Sequence, residues 1–378
     1  MKVTDERELA EAIREATGPL RIRGGGTRGV GRRVEGVELD VSGLRGIGLY
    51  EPGALTLVAA AGTPLAEVEA ALAAEGQRLA FEPADWRGLL GTVGEPTLGG
   101  MVAANVSGPR RVQAGACRDA LLGVRFVDGS GTVMKNGGRV MKNVTGYDLV
   151  KLMAGSWGTL GVLSEVSLKV LPAPEAAAVL VLAGLDPAAA VGAMTAALRS
   201  PYDVTGAAHG PWGTMLRIEG FAGSVDYRAG RLAEVLAPFG AVRVERDGAA
   251  VATLWQAVRD VAPFHEGAGA VWRVSLRPSD AAGFLGALGR NGIEADTVMD
   301  WGGGLVWVRV ADTGDAGEAV IRAEIRAHGG HATLIRASAD TRARVAPFQP
   351  EPAAVAAMSA ALRARFDPKG ILNPGLMV

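Results

Sequence analysis

A chain of 378 residues is long enough for two or three domains, and 48% apolar with 21% charged residues is the balance of an ordinary globular protein, not of a disordered or fibrous one. Lysine plus arginine number 39 against 40 aspartate plus glutamate, so no basic excess favours nucleic acid or an anionic lipid surface. The single cysteine, Cys117, cannot form an intrachain disulfide, no apolar signal region follows Met1, and the longest apolar run, about 176 to 185, falls far short of the roughly 20 residues that span a bilayer, so a cytoplasmic protein is expected.

The first predicted element is a helix over 4–17, where Asp5 with Glu8 resembles a capping box, Leu9, Ile13 and Ala16 share a face, and Gly18-Pro19 ends it. Leu20 to Arg23 reads as a strand and runs into Gly24-Gly25-Gly26-Thr27. Gly24, Gly26 and Gly29 also spell the G-x-G-x-x-G of dinucleotide-binding folds, but that motif needs a helix directly after it. Here Val37, Leu39 and Val41 alternate with polar residues, which predicts another strand. The segment is therefore read as a strand-loop-strand phosphate cradle. Glycine amides turn toward one oxyanion, Thr27 adds a hydroxyl, and Arg23 or Arg28 a charge. A plain glycine-rich hairpin is the alternative.

A strand over 55–61 leads to a helix for which Thr63 is a candidate cap, Pro64 the first position, Leu65, Val68 and Leu72 the apolar stripe, and Gly76 the stop. Strands that follow one another without intervening helices argue for an α+β fold, not a doubly wound parallel sheet. A second glycine-rich block, Pro96 to Arg111, has small residues that admit a flat ligand, with Thr97, Asn105 and Ser107 as directed hydrogen-bonding groups. A tight turn with a short alanine-rich helix would explain the same block. Leu121 to Val127 and Thr132 to Met134 flank Asp128-Gly129-Ser130-Gly131, a hairpin signal. A third block, Gly155 to Val162, enters a long strand over 160–171 that Pro172 stops, and Pro172-Ala173-Pro174-Glu175 marks the first domain boundary.

Beyond it, helical runs at 188–199, 228–237, 280–290 and 316–328 alternate with strands near 177–183, 214–219, 270–276, 305–310 and 331–337, a separate α+β domain with antiparallel strands. A last helix over about 351–366 precedes the irregular segment Phe366 to Gly375, which is expected to dock on the body of the protein.

In this order and spacing the three glycine-rich blocks resemble the FAD-binding domain of the vanillyl-alcohol oxidase and p-cresol methylhydroxylase (PCMH) superfamily, over roughly residues 1–172, and Phe366 to Gly375 looks like that family's C-terminal signature. More narrowly, Lys142-Asn143-Val144-Thr145-Gly146-Tyr147-Asp148-Leu149, with Lys151 to Ser156 and Glu165 to Pro172, looks like the E-type flavin subunit of bacterial glycolate oxidases. The resemblance implies an α+β fold in three parts. They are a PCMH-type domain of two subdomains over 1–172, an α+β cap with an antiparallel sheet over 173–350, and a helix and tail over 351–378 returning to the first domain.

It also implies FAD as cofactor. Arg23, Gly24, Gly25, Gly26 and Thr27 would hold the pyrophosphate, while Pro96, Thr97, Gly99, Gly100, Asn105 and Gly108 would line the cofactor. Gly161 and Val162 would meet its adenine end, with Asn373 joining from the tail. Several relatives attach the flavin covalently through a histidine just after the first glycine loop. Thr27 stands there in this chain, so non-covalent FAD is expected. Trp157 replaces an acidic residue usual in the catalytic D-type relatives, and their histidine-rich metal motif has no counterpart among His209, His265, His328 and His331.

The implied role is that of an FAD subunit in a glycolate oxidase complex, with a D-type flavin subunit and an iron-sulfur subunit as partners and any membrane association arising through them. A stand-alone 2-hydroxy-acid dehydrogenase and a non-catalytic flavin relay or structural subunit are the alternatives. Oxidising a 2-hydroxy acid needs a cation for the carboxylate and a base for the hydroxyl proton. Arg217, Arg273 and Arg336 lie on predicted cap strands and are the clamp candidates, each with a surface strand charge as its alternative. His331 is the base candidate on those strands, and His265 in its loop is undecided. The pair His328 and His331 supplies at most half a coordination shell, so no metal is expected.

Overall fold

Asp5 opens the first helix, Glu6–Glu15, by accepting the Glu8 amide at 2.8 Å, and the Glu8 carboxylate in turn accepts the amide of Thr4 at 2.7 Å, one residue before the cap. The helix buries Leu9, Ala10 and Ile13. The structure is a computed structural model and describes residues 1–139 and 146–377; Lys142, Asn143, Val144 and Thr145 of the subunit signature lie outside the described residues.

Strand β1 (Leu20–Arg23) pairs with β2 (Val37–Asp40) in parallel, from Leu20 opposite Val37 to Arg23 opposite Asp40, so the glycine loop between them is not a hairpin turn. Lys2 bridges Asp40 on one side and Leu372 bridges Leu20 on the other, which draws both chain ends into the same small sheet. Val3, Leu9, Ile13, Leu20, Leu39, Ile371 and Leu372 form its core.

The second sheet runs β3 (Ile47–Glu51), β4 (Thr56–Ala60), β8 (Val162–Pro172), β6 (Leu121–Val127), β7 (Val133–Gly137), antiparallel throughout, and β5 (Gln77–Leu79) pairs with the far end of β8. The expected Asp128 to Gly131 turn joins β6 to β7. The helix after β4 is Leu65–Ala74, but Thr63 does not cap it. Its hydroxyl instead bonds both backbone groups of Gly46, and the helix starts on Pro64 without a side-chain cap.

The third sheet has eight antiparallel strands in the order β12 (Val242–Glu245), β9 (Ala176–Leu182), β11 (Gly213–Gly220), β10 (Val204–Gly210), β14 (Asp296–Asp300), β15 (Leu305–Val310), β13 (Ala270–Ser275), β16 (His331–Arg336). Strands β10, β12 and β14 and the helix Gly248–Arg259 are additional to the sequence reading. Alternation decides the two faces. Ala270, Trp272 and Val274 of β13 point into a core with the helices Pro187–Leu198, Ala222–Leu236, Ala281–Arg290 and Glu318–His328. Val271 of β13, Leu305 and Trp307 of β15 and Ile335 of β16 take the other face and join the core of the first half of the chain, where Trp86 meets Trp307 edge to face at 6.0 Å. Arg217, Arg273 and His331 share this inward face, which is why their environments decide their roles.

Candidate functional site

The glycine-rich blocks meet because their backbones pack closer than side chains allow. A Cβ on Gly25 would lie 1.5 Å from the carbonyl oxygen of Glu95, and one on Gly94 would lie 1.7 Å from that of Gly25. A Cβ on Gly99 would come within 2.6 Å of the Ala61 side chain, so block two seats against the end of the second sheet. Thr97 caps the short helix Leu98–Ala103 by accepting the Gly100 amide at 3.3 Å. Gly26 has φ of +69°, the left-handed region in which glycine carries no Cβ penalty.

The third block arrives with Trp157 and Gly158 both at positive φ. It is tied to the tail through Asn373, whose amide donates to the Trp157 carbonyl at 2.8 Å and whose Oδ1 accepts the Ile22 amide at 2.8 Å.

These segments line one elongated cleft of about 1080 Å³. Among the residues expected to hold a cofactor, Arg23, Gly24, Gly25, Gly26, Thr27, Thr97, Gly99, Gly100, Gly161, Val162 and Asn373 line it. Pro96, Asn105 and Gly108 do not. The Pro96 carbonyl accepts the Leu65 amide, the Asn105 side chain accepts the Arg118 amide, and the Gly108 carbonyl accepts the Trp301 indole N–H at 3.0 Å.

The cap half supplies a roof that the sequence reading did not identify: Ala337, Ala339, Arg342 and Ala343, with Arg342 donating to the Gly29 carbonyl at 2.7 Å. Trp157, read only as a departure from relatives, also lines the cleft and packs edge-on against Phe348 at 5.6 Å.

The lining is electropositive: among the described residues Arg21, Arg23, Arg28, Arg32, Arg33 and Arg342 face a single acidic residue, Glu38, which already pairs with Arg21 at 2.6 Å and Arg23 at 3.0 Å. Arg28 is the buried member. It donates to the Ala84 carbonyl at 3.2 Å, its Nε has no partner among the described residues, and burial pushes its pKa down to about 10. A glycine cradle under an arginine-rich cleft with an orphaned buried guanidinium nitrogen fits an elongated ligand bearing a diphosphate.

The four catalytic candidates separate. Arg217 is a correction: it grips Glu82 at 3.0 and 2.9 Å, donates to Thr205 and stacks 4.4 Å over Trp255, so every face of its fork is engaged away from the cleft. Arg336 is another, because it donates to the carbonyls of Phe264, Leu89 and Gly269 and works as a backbone clamp.

Arg273 and His331 come together. In register, Arg273 faces Thr333 across β16 and Ser275 faces His331, so all four side chains point to the first half of the chain. There Arg111, from the end of block two, joins them. Its guanidinium lies 4.3 Å and that of Arg273 5.1 Å from the Trp301 ring. His331 opens β16 at the solvent-exposed edge of this cluster, where partial desolvation, then the charges of Arg273 and Arg111, lowers its imidazole pKa. Block two thus runs from the cleft to this second cluster. Arg111 and Trp301 carried no sequence signal that distinguished them from ordinary surface and core residues.

The other histidines are engaged elsewhere. His209 bonds Thr214 at 2.9 Å, His265 the Asp260 carbonyl at 2.8 Å, and His328 lies 3.5 Å from Glu324. Among the described residues no group of three or more histidine, cysteine or acidic side chains is placed to hold a metal ion.

Residues 1–137 match the FAD binding domain family. Along its whole length the chain resembles glycolate oxidase subunit GlcE of Escherichia coli, with 36% identity over 98% of this chain and 95% of that protein. A shorter stretch of 79 residues, 21% of this chain and 17% of the relative, is 40% identical to glycolate oxidase subunit GlcD of Bacillus subtilis. Among solved structures, an alkyldihydroxyacetonephosphate synthase superposes with a TM-score of 0.68 at 18% identity, covering 99% of this chain and 75% of that one, which is a likeness of fold.

Proposed function

The chain belongs to the family of glycolate oxidase subunits that includes GlcE, and from that membership we propose that it is an FAD-binding subunit of an oxidase of glycolate or a similar small 2-hydroxy acid. One observation carries the reading: three glycine-rich blocks far apart in sequence, with Asn373 from the tail, line a single arginine-rich cleft. The amides of Gly24, Gly25 and Gly26 would bind the diphosphate of FAD, with Arg28 as the buried countercharge. Gly161 and Val162 would border its adenine end. Thr27, buried under the loop, offers no ring nitrogen for a covalent link, so the cofactor is held non-covalently.

FAD, when bound, supplies the hydride acceptor for a carbon that carries a hydroxyl. The chain's part is to hold and enclose it: the cap residues Ala337, Ala339 and Arg342 cover the cleft against water, and Arg342 ties that cover to Gly29. Likeness to both GlcE and GlcD supports assembly with a second, D-type flavin subunit, and an iron-sulfur subunit would carry electrons onward. Among the described residues no helix is long and apolar enough to cross a membrane, so attachment would come through such partners.

Visible absorption of the purified chain, alone and co-purified with a D-type partner, tests the reading. A flavin spectrum released by acid precipitation supports non-covalent FAD, and bleaching by glycolate under anaerobic conditions supports the oxidase role. Colourless protein in both preparations would refute the assignment.

A further inference from the structure

The geometry points to a carboxylate-binding site on the seam between the two halves, built from Arg111 and Arg273 around Trp301, with Thr333 and His331 beside it. This inference rests on the 2-hydroxy-acid reading above and names the residues that would recognise the acid.

The charges around the seam sort into two groups. Arg217, Arg110 and Arg78 share Glu82 and Glu219 through ion pairs of 2.6 to 3.3 Å. Those carboxylates are thereby used up. Arg111 and Arg273 are left over: among the described residues neither guanidinium makes a hydrogen bond or an ion pair, and both rest against the indole face of Trp301, to which Arg273 adds the Trp307 ring at 6.0 Å, while Asp119 acts on Arg111 and Asp300 on Arg273 through space without pairing. Asp300 does not fill the gap. Its carboxylate accepts the Trp301 amide at 2.7 Å, and burial raises its pKa to about 7.

Two like charges near one ring repel, and a guanidinium has five donors that an aromatic face cannot satisfy. A carboxylate resolves both problems, because its two oxygens accept from both forks and its charge offsets theirs. The neighbours select further. The Thr333 hydroxyl makes no hydrogen bond among the described residues, and His331 stands exposed two residues before it on the same face of β16, so each offers a partner to a hydroxyl next to the carboxylate. Trp301 and Trp307, buried against the two guanidiniums, supply the apolar side of the site. Trp301 also donates to the Gly108 carbonyl, which sets the site at the end of the same glycine-rich block that lines the flavin cleft.

The test is titration of glycolate, oxalate and acetate into the full-length chain at constant ionic strength, read by isothermal calorimetry and tryptophan fluorescence, with flavin content measured on each sample. Wild type should bind glycolate and oxalate saturably and more tightly than acetate. Arg273→Met and Arg111→Met should each weaken binding at least ten-fold with flavin content unchanged, and Arg273→Lys should fall between, since an ammonium keeps the charge and loses the fork. Equal binding by wild type and both methionine variants, or no saturable binding by folded wild type, would overturn the site. A yellow chain that fails to bind the acids removes the carboxylate site and leaves the flavin reading standing. A chain that is colourless both alone and with its D-type partner, yet binds the acids through Arg111 and Arg273, does the reverse.

Discussion

Arg217 of the cap and Glu82 of the first half form a two-pronged ion pair, 3.0 and 2.9 Å long, with the arginine 2% exposed. It crosses 135 positions of sequence and sits under Trp255. Removing one partner of a buried pair leaves the other charged and desolvated, a loss of about 3–5 kcal/mol, whereas replacing both by apolar groups of similar size is often neutral. Glu82→Gln should therefore lower the midpoint of urea unfolding markedly, and Glu82→Leu combined with Arg217→Met should recover most of the loss. If Glu82→Gln alone leaves the midpoint unchanged, the pair does not join the halves.

The same network sets the acid limit of stability. Burial works to raise the Glu82 carboxyl, but Arg217 and Arg110 outweigh it and hold it below the usual range; Arg110, Arg217 and Arg78 do the same for Glu219. A carboxyl with a depressed folded pKa contributes stability above its unfolded value of about 4.3 and loses it as pH falls through the folded one. Unfolding midpoints should drop from roughly pH 4 downward, and the Glu82→Gln variant should show a shallower fall.

Asp300 acts in the opposite sense. Burial lifts it to about 7, so the folded state binds a proton there that the unfolded state releases. Its contribution is fully present below the unfolded pKa of about 3.9 and is lost as pH rises toward 7. Asp300→Asn should flatten the decline in unfolding midpoint across that window, measured at fixed ionic strength; an unchanged slope would mean the carboxyl is already ionised in the fold.

The cleft makes a sharper prediction. Gly25→Ala places a methyl 1.5 Å from the Glu95 carbonyl oxygen, a contact that only backbone movement relieves. Flavin retained after gel filtration should fall at least ten-fold, about 1.4 kcal/mol of binding. Gly53→Ala, where nothing lies within 4 Å of the added methyl, should keep the wild-type ratio of flavin to protein absorbance. Equal retention in both variants would show that the loop does not hold the cofactor.

Sequence was informative where one residue type reports one physical need. Clustered glycines signal close backbone approach, so the three blocks could be found before their meeting point was known. Strands with clean alternation, such as β13 and β15, were also readable. Strand β10, Val204-Thr205-Gly206-Ala207-Ala208-His209-Gly210, was not, because Ala207 and Ala208 are both buried and small residues erase the period. Strand arginines were ambiguous for a different reason. Arg217, Arg273 and Arg336 have similar neighbours in sequence, yet one pairs with a distant glutamate, one rests on tryptophan rings and one binds carbonyls. A charge announces that a partner exists; only the fold identifies it.

Asn373 carries the last prediction, because one side chain holds three segments of the cleft together. Its Oδ1 accepts the Ile22 amide at the end of β1, its amide donates to the Trp157 carbonyl of the third block, and its own backbone amide donates to the Leu20 carbonyl. The residue sits at φ of +43°, which asparagine tolerates better than most. Asn373→Ala keeps the backbone bond and leaves the Ile22 amide and Trp157 carbonyl without their partners, each worth about 1 kcal/mol or more when buried. The tail should then separate more readily from β1. Amide exchange at Ile22 and proteolysis after the last helix should both accelerate, and flavin retention should fall less than in Gly25→Ala, since the glycine cradle itself remains. Asn373→Asp separates the two bonds, because it keeps the acceptor for Ile22 and loses the donor to Trp157. Its retention should lie between alanine and wild type, and an aspartate variant as poor as alanine would place the whole effect on the Trp157 bond.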